Sequence, residues 1–162
     1  MYAGSIMNDM EHAIRLLLSE NRDESIKGEV LLCSLEDKIK IKHKMFELLG
    51  ENEHNHSRAC RVLHEIGTQE DTIPLLSFLT SDNSVIVRST IWVLGRIGNS
   101  SIIPSLNLLW NSTNLFDLEI RFALSDLCDR MTTQELESFR STDFELLKLL
   151  VQEQFHRQHR QE

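Results

Sequence analysis

The stretch that decides the fold is residues 87–110, "VRSTIWVLGRIGNSSIIPSLNLLW". It holds no histidine, cysteine or carboxylate, and its only charges are Arg88 and Arg96. Val87, Ile91, Leu94 and Ile97 recur at three- or four-residue spacing, which predicts a helix with one buried face. Gly98 is expected to end that helix in the left-handed conformation, with residues 99–101 making the turn. Pro104 suits the first turn of a second helix, where its missing N–H is not needed. Leu106, Leu109 and Trp110 then face inward. Asp82 and Ser84 stand where side-chain oxygens would cap the first helix.

The same text occurs earlier, in "SRACRVLHEIGTQEDTIPLLSFL" (residues 57–79). Gly67 and Gly98 lie 31 residues apart, each after an isoleucine; Pro74 and Pro104 lie 30 apart, each after an isoleucine and followed within two residues by a leucine. A third copy begins at "LEIRFALSDLCDR", with Arg121 and Leu127 each 33 positions after Arg88 and Leu94, and with Met131 in the glycine's place. A fixed period near 30 residues is the mark of a helical-hairpin array, in which no unit buries its apolar face alone.

The flanks read as further helices. One covers residues 8–20, opened by a capping box at Asn8-Asp9-Met10-Glu11. Residues 24–35 and 37–49 read as a less regular hairpin ending at Gly50. Thr132-x-x-Glu135 and Thr142-x-x-Glu145 resemble capping boxes, and the last helix carries Phe144, Leu147, Val151 and Phe155 on one face before the polar tail "HRQHRQE". About ten helices result, in a single domain over 1–162: irregular helices in 1–50, repeats in 56–130 and C-terminal capping helices in 132–158.

Composition narrows the function. With 41% hydrophobic and 26% charged residues, the 162-residue chain can bury a core and fold. A formal net charge of −8 disfavours nucleic acid, which needs a phosphate-neutralising basic surface. The best basic patch, "KIKIKHK" (residues 38–44), is flanked by acidic segments. No apolar run reaches the roughly 18 residues of a membrane span, and the N-terminus has no signal-peptide pattern. Cys33, Cys60 and Cys128 are odd in number and scattered, which fits reduced thiols in a cytoplasmic protein.

The first helix of the repeat resembles that of HEAT-like repeats in bacterial and archaeal proteins, of the phycobilisome-lyase type. Val87, Arg88, Leu94, Gly95, Ile97 and Gly98 match the usual pattern; Ile91 and Val93 stand where the family has small residues. Asp82 occupies the aspartate of the family's linker. The resemblance covers residues 56–130 and implies an all-α fold, an α-α superhelix: a short right-handed solenoid of HEAT-like helical hairpins. It further implies that Asp82 and Arg88 belong to a structural ladder along the stack, not to a catalytic pair.

The richest set of metal-type ligands is His54, His56, Cys60 and His64. Cys60 and His64 would share a helical face. Cys60, however, is equivalent to Ile91 and reads as a core residue, while His54 and His56 read as solvated loop residues. Three enzyme comparisons fail on the residues. His64-Glu65 resembles the iron-binding pairs of HEAT-repeat deoxyhypusine hydroxylases, but Gly95-Arg96 stand in the next unit, so the ligand set cannot be assembled. HEAT-like alkylpurine DNA glycosylases need a basic concave face that this chain lacks. No nucleophile elbow or glycine-rich phosphate loop is present.

The expectation is therefore a protein without catalytic residues, metal or cofactor that binds another protein, one with a basic surface, as an adaptor, regulatory or toxin-neutralising module. Second helices of such stacks usually line the concave side. The predicted protein-binding residues there and in the adjoining turns are Gln69, Glu70, Ser77, Asn107, Trp110 and Asn111. The alternative is an accessory subunit of a bilin-lyase-type enzyme.

Overall fold

The computed structural model describes the backbone of residues 3–158 and the side chains of residues 9–157. It is all-helical: ten α-helices and three short 3-10 turns, with no strand among the described residues. The chain divides into two compact units, Met1–Gly67 and Thr68–Glu162.

The first unit holds α1 (Ala3–Leu17), α2 (Arg22–Ser34), α3 (Lys38–Leu49) and α4 (Glu53–Ile66). Helix α1 begins five residues before the expected Asn8 start, and the Asn8 side chain lies outside the described residues. The expected hairpin of α2 with α3 is not the main pairing. Helix α2 packs on α1 and α4, and α3 packs on α4. The cause is the buried face of α2, which is Ser25, Gly28 and Leu32. The small Ser25 and Gly28 admit the α1 backbone: a Cβ on Gly28 would lie 2.6 Å from the Ala13 carbonyl oxygen and 2.7 Å from Leu17 Cα, and closer still to Leu17 N. The bulkier Ile26, Val30 and Leu31 of α2 face solvent.

The second unit carries the end of the first copy and the two later copies: α5 (Thr72–Leu76), α6 (Ser84–Ile97), α7 (Ile103–Ser112), α8 (Asp117–Arg130), α9 (Thr133–Ser138) and α10 (Glu145–Gln158). Helix α6 packs on α5, on the 3-10 turn Ser77–Thr80 and on α8; α8 packs on α7 and α10. Val87, Ile91, Leu94 and Ile97 are buried as their spacing requires, and Ile102 and Leu106 are buried too. The second helix of the first copy is only five residues long. Ser77 and Thr80 hydroxyls donate to the Pro74 and Ser77 carbonyls at 3.0 Å, tightening the chain into the 3-10 turn.

The turn after α6 differs from expectation. Gly98 is extended, with φ −74° and ψ 171°, and no described residue has positive φ. Glycine is required there by space: a Cβ would sit 2.5 Å from the Leu94 carbonyl oxygen and 2.8 Å from Ile102 Cδ1. Gly67 and Met131 leave their helices in the same extended region, so the third copy keeps the geometry without a glycine. The cap of α6 is Asn83, whose side chain accepts from Val85 N at 2.9 Å, and not Asp82 or Ser84. The Thr132–Glu135 capping box forms, whereas the Thr142 hydroxyl accepts from Phe144 N at 3.3 Å ahead of α10.

Candidate functional site

Arginines link α6, α8 and α10. Arg88 of α6 bridges to Glu119 of α8 at 2.9 Å, and its guanidinium lies 5.8 Å from the Phe116 ring centroid. Arg121, its equivalent in α8, reaches Glu153 of α10 at 3.9 Å. The partner of Arg88 is thus a carboxylate on the next first helix. Arg130 Nη2 donates to the carbonyls of Gly95 and Gly98, at 2.5 and 3.1 Å, and so holds the C-terminal end of α6. Helices α6 and α8 approach closely where Gly95 faces Ala123.

The predicted binding residues fall into two groups. Gln69 and Glu70 are exposed in the turn before α5, and the Gln69 amide oxygen accepts from Asn99 Nδ2 at 3.1 Å, joining the turns of successive copies. Gln69 lines a cleft of about 360 Å³ with Asn99, Ser100, Arg130 and Glu135. Asn107 and Asn111 lie one turn apart on α7, joined by a 3.1 Å amide bond, and Asn107 lines a cleft of about 490 Å³ with Pro104, Phe139 and Phe144. The two clefts meet at Asn99 and Ser100. Trp110 is half-buried, its ring tilted on Phe144 with centroids 6.2 Å apart. Ser77 is exposed with its hydroxyl turned to its own backbone.

Sequence reading missed an apolar row on the first helices. Trp92 is 46% exposed on α6, with Val85 two turns before it at 44%. On α8, Leu118 and Phe122 are one turn apart and more than 60% exposed, and Leu115 is exposed just before that helix. The signal was present: Val85 and Leu118 are 33 residues apart, so the same outward register is apolar in two copies.

The histidine and cysteine set is dispersed. Helix α4 starts at Glu53, capped by Asn52, so His54 and His56 are helical and not in a loop. His56 is fully buried, and its Nδ1 donates to the Leu49 carbonyl at 3.0 Å. Cys60 is fully buried, and burial pushes its thiol up to about 12. His64 pairs with Glu65 at 2.8 Å. No group of three or more His, Cys, Asp or Glu side chains converges in a metal-binding arrangement among the described residues. No described helix is long and apolar enough to cross a membrane. No protein-family model matches this chain, and no curated protein matches it.

Proposed function

We propose that this chain is a non-catalytic HEAT-like repeat scaffold, a short right-handed solenoid, that binds another protein. The observation that carries the reading is the apolar row on α6 and α8. Both helices bury one face against neighbours, and four large side chains (Val85, Trp92, Leu118 and Phe122) remain outside that core. Aromatic side chains are enriched at the core of protein interfaces, and polar residues supply the rim. Ser89, Arg121 and Asp126 give the row such a rim. The resemblance to HEAT-like repeats, and the equivalence of outward positions in successive copies, support the same reading.

The second-helix face is the other arm of the test, because Leu108 is 73% exposed between Asn107 and Asn111. Photo-crosslinking in the host cell, with a reactive residue at position 125 or 108, is compared between wild type, L118E/F122E and L108E/N111K. The expected result is a discrete crosslinked protein from position 125 that is lost in L118E/F122E and kept in L108E/N111K. Equal crosslinking in all three chains, each with native helicity, refutes binding through either face.

A further inference from the structure

A cleft of about 490 Å³ lies within the Met1–Gly67 unit, between the start of α2 and the first half of α4. Clefts of this size hold small ligands or single side chains of a partner. Arg58, on α4, lines it and is only 5% exposed. Its Nη2 donates to the Ser19 carbonyl at 2.5 Å, while Nη1 is buried with no hydrogen-bond partner. A guanidinium stays charged in proteins, and a buried charged donor without an acceptor is costly.

Arg61, almost one turn further along α4, is already oriented. Its Nε donates to Glu29 at 2.7 Å and its Nη2 to the Ser25 hydroxyl at 2.8 Å, and Ser25 in turn donates to the Leu17 carbonyl at 2.9 Å. Arg22, in the first turn of α2, lines the mouth. Three arginines against Glu20 and Glu29 leave the lining with one positive charge, in a chain whose formal net charge is −8.

We infer that this cleft binds a carboxylate, which accepts from Arg58 Nη1 and is flanked by Arg22 and Arg61. A single negative charge balances the lining, whereas a dianionic phosphate would overbalance it beside two glutamates. The planar fork of a guanidinium matches the two oxygens of a carboxylate. Ile26, also in the lining, sets an apolar wall beside the charge, so the carboxylate belongs to a ligand with a short apolar body. Such a group comes from a small organic acid or from the C-terminus of a peptide.

The test uses the full chain, ¹⁵N-labelled and held at constant ionic strength with chloride. It is titrated with acetate, with a short apolar peptide bearing a free C-terminal carboxylate, with the same peptide amidated, and with inorganic phosphate. Saturable shifts of the Arg58 and Arg61 Nε–H signals with acetate are expected. Saturation by the peptide acid at lower concentration than acetate, with none from its amide, identifies a peptide terminus; saturation at equal concentration identifies a small acid. R22Q and E20Q change exposed residues, and they should weaken and tighten acetate binding by roughly two- to fivefold each, the range of a partly screened charge. The inference is overturned if neither carboxylate saturates, if phosphate binds more tightly than acetate, or if both variants bind as wild type does.

Discussion

Replacing Gly95 by alanine sets two effects of opposite sign against each other. In mid-helix, alanine is favoured over glycine by about 1 kcal/mol. At this site the new Cβ would lie 2.7 Å from Ala123 Cα and 2.8 Å from Ala123 Cβ. Ordinary carbon contacts are about 3.5–4.0 Å. Neither obstructing atom can swing aside, because one is backbone and the other is fixed directly to it. Helices α6 and α8 must therefore separate by roughly 1 Å, and a gap of that size forfeits a quarter to a half of each dispersion contact along the seam. Overpacking of this kind costs about 1–3 kcal/mol beyond any local gain. The net expectation is a loss of about 1–2 kcal/mol, which lowers Tm by about 2–8 °C in a chain of this length. Urea unfolding followed by circular dichroism measures it, with the slope m unchanged from wild type. Gly50 is the control: it has near-helical φ and ψ of −85° and −8°, and the nearest atom to its Cβ is the Glu47 carbonyl oxygen at 3.9 Å, so G50A should stabilise by about 0.5–1 kcal/mol. A double-mutant cycle of G95A with A123G should give favourable coupling, since the second change removes one of the two close approaches and leaves the other. If G95A proves as stable as wild type, or more so, the close α6–α8 approach is wrong and the argument fails with it.

Two further outcomes follow from the same geometry. R130A removes the donor that clamps the Gly95 and Gly98 carbonyls, and should cost about 1–2 kcal/mol with faster amide exchange at residues 98–102; unchanged exchange there would rule out the clamp. The buried thiols of Cys60 and Cys128 are pushed up to about 12 and about 11, so folding favours their protonated forms; the stability they contribute is complete below about pH 9 and is lost as pH rises through those values. In the native chain a thiol reagent should modify the partly exposed Cys33 well before Cys60, and equal rates would contradict the burial.

The sequence made α6 legible because its buried positions are large and strictly periodic, and because Pro104 marks the start of the next helix. It misled at α2 for the converse reason. Periodicity weighs a side chain by size, whereas the α1–α2 seam is decided by how little Ser25 and Gly28 occupy, and so Ile26, Val30 and Leu31 are outside. Gly98 shows why a glycine is ambiguous on paper: a left-handed turn and a close approach are written with the same letter. Met131 separates the two, since a residue with a side chain takes the same extended backbone where no neighbour forbids it.

Polar residues were the hardest to place, and for a single physical cause. The sequence set His56 in a solvated loop, yet His56 and Arg58 are both buried, His56 satisfied by the Leu49 carbonyl and Arg58 bonded at Nη2 but not at Nη1. A helix of three- or four-residue period brings positions 56, 59, 60 and 63 to one face, so His56 follows Ala59, Cys60 and Leu63 inward whatever its own preference. Once such a group is carried in, its hydrogen bonds must be found within the fold or in a ligand. The first solution reads as architecture, and the second, at Arg58 Nη1, points to a site. Only coordinates distinguish them, because the partners of both residues (Leu49 and Ser19) come from other segments of the chain.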